Sequence, residues 1–594
     1  MSSLSISGKN WVLKKYNQEN LIFFKENFSL DEITSKLLSI RKISREDVLS
    51  FLNPSIKNIL PNPNNMTDMK KSTLRTVEAI SKNEKIAIFG DYDVDGATST
   101  AILGNYFTEL NLDFEIYIPD RKKEGYGPSI ESFKELINKK VKIIFTVDCG
   151  TLSFEAINFA KEKNIDVIVL DHHQSEVKLP NAFSIVNPNR LDDRSNLNYL
   201  CAAGVIFMFL VSLNRELRSN NWFGQNKIIE PNLINYLDLV SLGTVCDVVP
   251  LIGLNRAIVK QGIKVLKTRK NLGLKTLLDI CKIETTPSVY HLGFLLGPRI
   301  NAGGRVGKCT HGANLLLNKD PKITFKIAME LDQFNKERQI LEKNLLQKIL
   351  NETKGYSKDP ILILSGKNWH EGIIGIVAAR LKDKFNKPVI IISINGDIGK
   401  ASARSIVGFD IGAMIISATQ EKILVKGGGH KMAGGFSIKV ENIEKFKHFA
   451  FRKIRNINQD LTVEKPLLFD SVIAPSAVNF DFYKKVELLS PFGSGNPEPK
   501  FVIENLKTIN GKIVGESHIK SILLGEDGSS ITSIAFNAVE SDLAGYLLKK
   551  NNKPFNIAGK LSLNEWRGQS NVEFIIDDIS VNKSFKNVVP SSIG

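Results

Sequence analysis

Short runs of β-branched and other apolar residues alternate with longer amphipathic stretches in the first third of the chain. The apolar runs lie at 85–89, 113–118, 142–147 and 166–170, and apolar positions recur at helical spacing between them. Continuous apolar strands separated by helices are typical of βαβ units in a parallel sheet that is covered on both faces. We therefore predict an α/β fold whose ligand site lies beyond the carboxyl ends of these strands.

The rest of the chain divides into regions by the same criteria. Apolar residues recur at helical spacing over 320–354, which predicts one helix of about 50 Å that joins two lobes. A second strand–helix–strand pattern follows, and short strands with glycine turns beyond it indicate an all-β domain. The predicted regions are an N-terminal helical pad (1–70), the α/β domain (71–319), the connecting helix (320–355), a smaller α/β domain (356–462) and a β-barrel domain (463–594).

Composition restricts the class of protein. The 594 residues are 42% hydrophobic and 24% charged, which excludes a collagen-like, purely coiled-coil or mostly disordered chain. No apolar run reaches the ~18 residues of a membrane span, and no charged leader precedes an apolar block. Five scattered cysteines without a C-x-x-C pair indicate a reducing compartment. We therefore expect a cytoplasmic protein without a membrane partner.

The chain carries a formal net charge of +16, which favours a polyanionic partner such as nucleic acid. The alternative is a lysine-rich genome whose proteins drift basic. The excess is uneven, because residues 465–594 contain 14 basic and 14 acidic residues. The positive charge therefore lies in residues 1–464, and the C-terminal domain is expected to attract DNA only weakly.

Three aspartates alternate directly after the first predicted strand, in Gly90-Asp-Tyr-Asp-Val-Asp-Gly96. The same pattern begins a calcium loop of the EF-hand type, but that loop needs a preceding helix and a glutamate at its twelfth position, where Ile102 stands. A solvated acidic turn is the other alternative. Carboxylates this close repel one another unless they share a cation, which favours a metal site.

Carboxylates and imidazoles also follow later elements of the predicted sheet. Taken singly, each is typical of a cap, a turn or a surface residue, but together they lie at one edge of the sheet. Oxygen donors with one or two imidazoles suit Mn²⁺ or Mg²⁺. So many carboxylates predict two ions, which would hold the attacking and leaving oxygens of a phosphodiester. These residues are Asp148, Asp171, His172, His173 and Asp247.

The segments that carry these residues resemble the four motifs of the DHH phosphoesterase family. Further motifs in the same order are similar to the bacterial single-strand-specific 5′→3′ DNA exonucleases of that family. The resemblance implies a parallel-sheet DHH domain joined by the long helix to a smaller α/β DHH-associated domain, and then an OB-fold barrel. The further motifs are Gly297-Pro-Arg-Ile-Asn-Ala-Gly-Gly-Arg305, Trp369-His-Glu-Gly-Ile-Ile-Gly-Ile-Val-Ala378, Ser402-Ala-Arg404, Gly427-Gly-Gly-His430 and Ser490-Pro-Phe-Gly-Ser-Gly-Asn-Pro-Glu-Pro499.

The resemblance also implies roles for individual side chains. Asp148, Asp171 and His173 are expected to be catalytic. Whether His173 binds a metal or handles a proton stays open, and so does a role for Asp171 in orienting His172. The expected ligands of two divalent cations, Mn²⁺ or Mg²⁺, are Asp91, Asp93, Asp95, Asp148, His172 and Asp247.

DNA contacts are implied for a second set of residues. Arginine offers a planar fork to phosphate oxygens, and glycines let backbone N–H groups approach them. Ser402 and Arg404 resemble a 5′-phosphate pocket, and Gly427-Gly-Gly-His430 reads as a nest-like turn. The alternatives are arginines paired with surplus carboxylates, a half-buried tyrosine and a simple glycine turn. The expected DNA-binding residues are Arg121, Tyr126, Arg299, Asn301, Arg305, Ser402, Arg404, Gly429 and His430.

The function implied by the resemblance is a single-stranded-DNA-specific 5′→3′ exonuclease of recombination and repair, which releases 5′-mononucleotides by two-metal-ion hydrolysis. The expected partners are single-stranded DNA, a single-strand-binding protein and a helicase, and a monomer is expected. One alternative is a DHH-type oligoribonuclease or cyclic-dinucleotide phosphodiesterase, against which the C-terminal domain counts. The other is a non-catalytic DNA-binding scaffold, which predicts lost carboxylates that this chain retains.

Overall fold

Four groups of secondary-structure elements make up the chain: an N-terminal segment, two α/β domains joined by a long helix, and a C-terminal barrel. The predicted fold class is confirmed. No helix within the described stretches is long and apolar enough to cross a membrane. The computed structural model describes residues 4–121, 123–352, 359–455, 466–566 and 569–581.

The N-terminal segment folds onto the C-terminal end of the chain. Its strand pairs in parallel with Leu467–Phe469, and its helices place Phe24 and Leu37 in the core of the barrel domain. Asn17 and Asp31 begin its first two helices by accepting hydrogen bonds from backbone N–H groups of the first turn. Its elements are β1 (Trp11–Leu13), α1 (Gln18–Phe28), α2 (Glu32–Ile40), α3 (Val48–Leu52) and α4 (Ile56–Ile59).

The first α/β domain is built on an all-parallel, five-stranded sheet, as the apolar runs predicted. Phe133 and Ile157 cover one face of the sheet, and Leu103 and Phe209 cover the other. Both central strands are therefore fully buried. The elements are α5 (Met69–Ser81), β2 (Ile86–Phe89), α6 (Val94–Glu109), β3 (Phe114–Tyr117), α7 (Ile130–Asn138), β4 (Ile143–Val147), α8 (Phe154–Glu162), β5 (Asp166–Leu170) and β6 (Ser184–Val186), with strand order β3-β2-β4-β5-β6.

A helical layer completes this domain. Its helices pack tightly because glycines replace side chains at their crossings. A Cβ at Gly243 would lie 2.7 Å from Asp95 Oδ1, and one at Gly262 would lie 2.2 Å from the carbonyl oxygen of Leu237. The helices are α9 (Ala202–Ser219), α10 (Trp222–Asn226), α11 (Leu237–Cys246), α12 (Gly253–Lys267), α13 (Leu272–Ile280), a π-helical segment (His291–Leu296), α14 (Gly297–Val306) and α15 (His311–Leu317).

A single helix, α16 (Pro321–Glu352), joins the two α/β domains. Its 32 residues span about 48 Å at 1.5 Å per residue, as the apolar spacing predicted. Its first half buries Ile327 and Leu331 in the core of the first domain. Its second half buries Leu345 and Ile349 in the core of the second domain. The helix thereby sets the separation of the two domains.

The second α/β domain has a five-stranded mixed sheet. Only its first two strands run parallel, and the others pair antiparallel. Two apolar cores cover the faces of the sheet, one with Val377 and one with Phe446. The elements are β7 (Leu362–Lys367), α17 (Glu371–Phe385), β8 (Val389–Asn395), β9 (Ile398–Arg404), α18 (Ile411–Gln420), β10 (Lys426–His430), β11 (Ala433–Lys439) and α19 (Ile443–Arg455), with strand order β10-β11-β9-β8-β7.

The C-terminal domain is a closed five-stranded barrel, which confirms the predicted β-barrel. Its longest strands close the cylinder, because β14 pairs with both β15 and β17. Phe501, Phe555 and Phe574 fill its interior. The elements are β12 (Leu467–Phe469), β13 (Ser471–Val472), α20 (Phe480–Glu487), β14 (Phe501–Val514), β15 (His518–Leu524), β16 (Ser530–Ala535), α21 (Ala544–Leu547), β17 (Asn551–Trp566) and β18 (Gln569–Ser580).

Candidate active site

The predicted acidic residues meet at the carboxyl edge of the parallel sheet. Asp91, Asp148 and Asp171 each follow a strand of this sheet by one or two residues, after β2, β4 and β5. Asp247 is the C-cap residue of α11, which crosses the start of α6. Side chains that are far apart in the sequence therefore share one site because parallel strands end at the same edge.

Backbone N–H groups hold two of the carboxylates. Asp93 is the N-cap of α6, where its Oδ1 accepts a hydrogen bond from the Gly96 N–H at 3.0 Å. Asp95 accepts hydrogen bonds from the N–H groups of Ala202 and Ala203, at 2.7 and 3.0 Å, where α9 begins. The positive ends of two helices thus favour negative charge here.

The backbone bends sharply to direct Asp148 into the site. Asp148 has φ +60°, a left-handed conformation that aspartate tolerates better than most residues. Its side chain is 97% buried. The strained turn places one carboxylate oxygen 3.4 Å from His172 Nε2.

His172 lies at the centre of the cluster. Its Nε2 lies 3.4 Å from Asp148 Oδ1, 3.6 Å from Asp247 Oδ2 and 3.7 Å from Asp95 Oδ2. Three groups have ligand atoms within 4.8 Å of one another: Asp95 with His172 and Asp247, Asp91 with Asp93 and Asp148, and Asp148 with His172 and His173.

The electrostatics of the cluster fit divalent cations. Oδ1 of Asp91 and Oδ1 of Asp148 are buried without a hydrogen-bond donor among the described residues. Burial and then the neighbouring carboxylates raise the pKa of both groups well above the usual range, and they raise the pKa of Asp247 to about 8. Carboxylates that are costly to ionise and lack donors are suited to a cation with oxygen and imidazole ligands.

Asp171 has a different environment from the other carboxylates. The N–H groups of His172 and Thr151 donate to its two oxygens at 2.7 and 3.1 Å, and His173 Nδ1 lies 2.8 Å from Oδ1. Burial alone would raise the pKa of Asp171, but the hydrogen bond and charge of His173 hold it well below the usual range. The suggestion that Asp171 orients the ring of His172 is wrong, because its carboxylate bonds to the ring of His173.

The structure also brings in residues that the sequence analysis missed. Asn187 donates to Thr151 Oγ1 at 2.9 Å and to the carbonyl of His173 at 2.8 Å, and Asn189 donates to the carbonyl of His172. Both asparagines follow β6, the outer strand of the parallel sheet. Their position directly after a strand was the only sign of them in the sequence. That strand, β6, is only three residues long.

Tyr126 lies beside the cluster. Its hydroxyl donates to the carbonyl of Asp148 at 2.9 Å, and its ring meets that of His173 edge to face at 5.7 Å. The residue is 54% exposed although its hydroxyl is held by the Asp148 carbonyl. Burial, and after it the charges of Asp171 and Asp148, raise the pKa of Tyr126 well above its usual value. An exposed ring face is thus available to a ligand next to the carboxylates.

An arginine group lies between the two α/β domains. Arg305, at the end of α14, donates to the carbonyl of Gly372 in the second domain at 3.3 Å. Burial and the charges of Arg121, Arg338 and Arg404 lower the pKa of Arg305 to about 10. Within the described stretches, Arg121, Arg305 and Arg404 form no ion pair. Arg338 belongs to this group and was missed, because a cation on a long helix usually lies on a solvated face.

Two other residues of the glycine-rich motif on α14, Arg299 and Asn301, were predicted to contact DNA but lie in different surroundings from Arg305. Arg299 forms an ion pair with Asp332 of α16 at 2.9 Å and donates to the carbonyl of Leu295. This is the carboxylate-paired alternative considered for that arginine. Asn301 lines a groove beside Asp247. The phosphate contacts assigned to both residues stay predictions.

Ser402 and Arg404 lie side by side on β9 and face the start of α17. Arg404 Nη1 lies 3.3 Å from Ser402 Oγ, and a Cβ at Gly375 would approach both side chains at 2.9 and 3.2 Å. Burial lowers the pKa of Arg404. A hydroxyl and a guanidinium therefore lie together beside α17, and such a pair of donors is typical of an anion site.

Gly429 and His430 do not form the predicted nest-like turn. They belong to β10, an extended edge strand that pairs antiparallel with β11, Gly429 opposite Gly434. Packing requires a glycine at two of the three positions 427–429, because a Cβ at Gly427 would lie 2.7 Å from the Phe436 Cβ and one at Gly429 would lie 2.5 Å from the Ala433 carbonyl oxygen. His430 is exposed on this strand.

The fold and the carboxylate edge define the class of protein. A model of the DHH family N-terminal domain matches residues 85–244, and a model of the DHHA1 domain matches residues 358–456. A model of the RecJ OB domain matches residues 469–578. The three matches follow one another in the order of the two α/β domains and the barrel.

Similarity to whole proteins narrows the class. The single-stranded-DNA-specific exonuclease RecJ of Haemophilus influenzae is 33% identical over 543 residues, which cover 89% of this chain and 93% of the relative. RecJ of Thermus thermophilus in complex with Mn²⁺ has a TM-score of 0.80 at 26% identity, over 97% of this chain and 80% of that one. The structure of that protein in complex with Mg²⁺ shares the fold, with a TM-score of 0.74 at 24% identity, over 97% and 79% of the two chains. This chain belongs to the RecJ family.

Proposed function

We propose that this protein is a 5′→3′ exonuclease that shortens single-stranded DNA and releases 5′-mononucleotides. The observation that carries the proposal is the buried cluster of Asp91, Asp148, His172 and Asp247 opposite an anion site in the second domain. The cluster is suited to cations and the anion site to a phosphate. A nucleic-acid end that bridges the two places its next phosphodiester on the carboxylates.

The cluster holds two divalent cations, Mn²⁺ or Mg²⁺. Asp95, His172 and Asp247 form one ligand group, and Asp91, Asp93 and Asp148 form the other. When bound, the pair supplies charge stabilisation for the attacking and leaving oxygens and a water of lowered pKa. The proposed ligands need no rearrangement of the backbone, because their donor atoms already lie within 4.8 Å of one another in each group.

His173 handles a proton in the reaction. Although burial opposes it, the hydrogen bond that His173 donates to Asp171 raises the pKa of His173 to about 9. Asp171 keeps a proton at Nδ1 of the ring, and the Tyr126 hydroxyl lies beside the ring, 3.3 Å from Nδ1 and 3.4 Å from Nε2. His173 is thereby held in one orientation while it faces the substrate side of the cluster.

The direction of digestion follows from the anion site. Ser402, Arg404 and the start of α17 hold the 5′-phosphate, and Arg305 adds positive charge from the first domain. Arg121, which stacks on the Tyr92 ring at 5.4 Å, and Tyr126 line the path of the strand. We further propose a monomer in the cytoplasm that acts with a single-strand-binding protein and a helicase.

The alternatives fit the molecule less well. A dinucleotide or cyclic-dinucleotide phosphodiesterase leaves the barrel and the N-terminal segment that shares its core without a use. A non-catalytic scaffold leaves the orphaned carboxylate oxygens of Asp91 and Asp148 unexplained. A nuclease that acts on a long strand uses both the carboxylates and the barrel with its N-terminal segment.

Digestion of end-labelled single-stranded DNA with Mn²⁺ tests the proposal. We expect release of mononucleotides from the 5′ end, and a loss of at least about 10³-fold in rate for Asp148→Ala, because one group of ligands is broken. Asp113→Ala is the matched control, since Asp113 is exposed before β3, at the opposite edge of the same sheet. Continued digestion by Asp148→Ala would contradict the assigned centre.

A further inference from the structure

A buried arginine on α12 connects three parts of the molecule. Arg256 is only 1% exposed, and all of the hydrogen bonds that its guanidinium makes to described residues go to backbone carbonyls. Nε donates to Phe51 of α3 at 2.8 Å. The other nitrogens donate to Leu489, Ser490 and Pro491 at 2.9, 2.7 and 3.3 Å. The side chain therefore ties the first domain to the N-terminal segment and to the loop that leads into the barrel.

Burial makes these hydrogen bonds costly to break. Arg256 lies over the Phe51 ring, with Cζ 3.8 Å from the ring centroid, and burial followed by the charge of Arg41 lowers the pKa of Arg256 to about 9. A buried polar group that loses its partner costs its full desolvation penalty. The loop carbonyls therefore stay where the guanidinium holds them.

Other side chains make the 489–497 loop rigid. Asn496, which is 1% exposed, donates from Nδ2 to the carbonyls of Leu489 and Pro491 at 2.8 and 2.9 Å. Arg41 of the N-terminal segment donates from Nε to Asn496 Oδ1 at 2.7 Å. The loop thus has a fixed shape that depends on both ends of the chain.

The same loop supports the connection that follows Asp247. The Ser494 carbonyl accepts a hydrogen bond from the Leu251 N–H at 2.8 Å, and a Cβ at Gly495 would lie 3.0 Å from the Pro250 Cβ. From the other side, Asn255 of α12 donates to the Pro250 carbonyl at 3.0 Å. Residues 248–251 are therefore held between α12 and the 489–497 loop.

Asp247 depends on this support more than other carboxylates of the cluster do. Within the described stretches no N–H or O–H group donates to its carboxylate, whereas backbone N–H groups hold Asp93 and Asp95. The next residue, Val248, has φ +61°, which is strained for a β-branched side chain. Such a conformation persists only where the surrounding structure determines it. Without that support the turn relaxes and Asp247 moves.

We propose that Arg256 is a positioning residue: through the 489–497 loop it holds Asp247 in place as a metal ligand, so that the barrel and the N-terminal segment complete one of the two cation sites. The inference rests on the proposed function. It concerns the group of Asp95, His172 and Asp247. Ligands must be held within about 0.5 Å of their working geometry, and a backbone support that passes through another domain makes metal binding depend on that domain.

Mn²⁺ titration by calorimetry, which reports the affinity of each site, tests the support from the loop side. Gly495→Ala adds a Cβ 3.0 Å from Pro250 at a residue with φ +72°, and we expect one Mn²⁺ site to weaken about tenfold while the other stays unchanged. In an Asp247→Ala background the same change is expected to have no further effect. Gly528→Ala is the matched control, because Gly528 has φ +79° in a turn of the barrel with no atom near its Cβ. Both of its Mn²⁺ affinities are expected to match wild type.

Arg256→Gln tests the anchor itself. We expect about a tenfold weaker affinity at the same single site, and a digestion rate that returns toward wild type at saturating Mn²⁺. Arg75→Gln is the control for stability, since Arg75 is a largely buried arginine of the same domain that pairs with Glu84 and Asp166. It is expected to lower the thermal midpoint, as Arg256→Gln does, without changing either Mn²⁺ affinity.

The outcomes are distinguishable. Wild-type Mn²⁺ affinities in Gly495→Ala overturn the positioning role while the exonuclease proposal stands, and this variant decides the question if Arg256→Gln does not fold. Equal weakening of both sites, or the same loss in Gly528→Ala, also overturns it. If the wild type binds no Mn²⁺ at the carboxylates, the proposed function fails and the inference falls with it.

Discussion

The two α/β domains place their functional side chains in different ways. In the first domain the sheet is parallel, so Asp91, Asp148 and Asp171 follow strand ends and meet at one edge. In the second domain the sheet is mixed, and Ser402 and Arg404 lie along a strand facing a helix. The first site concentrates negative charge and the second positive charge. On the proposed function, we expect the counter-charge to come from divalent cations at the first site and from a 5′-phosphate at the second.

The largest effect outside the proposed ligand groups is expected when Asp171, the carboxylate that bonds to the ring of His173, is changed. Asp171→Asn removes the charge that raises the pKa of His173, and we expect about a 10²-fold fall in rate. Mn²⁺ affinity, measured by calorimetry, is expected to stay near the wild-type value, because Asp171 is in none of the ligand groups.

A matched control lies on the same strand. Asp166, at the amino end of β5, pairs with Arg75, and Asp166→Asn is expected to retain the wild-type rate. If Asp171→Asn weakens Mn²⁺ binding as strongly as Asp148→Asn does, Asp171 is itself a ligand and the distinction between the two kinds of carboxylate is lost.

The next largest effect is expected on the unfolding free energy, from Asp238, a buried carboxylate away from both sites. Burial raises the pKa of Asp238 on α11 to about 7, so its contribution to stability is complete below the unfolded pKa near 4 and is lost as pH rises through 7. Between pH 5 and 8 this amounts to about 2–3 kcal/mol of unfolding free energy. Urea unfolding is expected to reveal the loss in wild type and its absence in Asp238→Asn.

Added Mn²⁺ sharpens that comparison. The pH-dependent contribution of Asp238 to the unfolding free energy is expected to be the same with Mn²⁺ present, because none of the described metal-ligand groups includes this residue. An Asp238→Asn variant with the full wild-type pH dependence would mean that other groups cause it.

The smallest effect concerns the anion site. Arg404→Gln is expected to reduce the preference for a 5′-phosphate over a 5′-hydroxyl end about tenfold, since one charged donor to the phosphate is removed. Arg452→Gln, on an exposed face of the same domain, is the control. An equal loss on both kinds of end would place Arg404 elsewhere on the substrate path.

Much of the first site was predictable from the sequence, because in a parallel sheet the position after a strand fixes the position in space. This rule brought Asp91, Asp148 and His172 together correctly. It missed Asn187 because β6 is only three residues long and lacks a clear apolar run. It left Asp171 out of the ligand set but could not show which histidine ring its carboxylate meets, since that depends on which N–H groups its oxygens meet.

The second domain and the chain ends were harder to predict. Glycines at 427–429 fit a turn or a strand equally well, and the choice depends on the packing of α18 against β10. The ion pair of Arg299 with Asp332 joins two helices, and the local sequence around Arg299 does not report it. The pairing of β1 with β12 joins opposite ends of the chain, and no local pattern reports such a contact.

The central claim is that acidic residues from separate segments hold two cations, and anomalous diffraction from Mn²⁺-soaked crystals tests it most directly. We predict two peaks, one among Asp91, Asp93 and Asp148 and one among Asp95, His172 and Asp247. In Asp247→Ala only the second peak is expected to weaken. No peak at this edge of the sheet in wild-type crystals, or Mn²⁺ bound only elsewhere, would contradict the account.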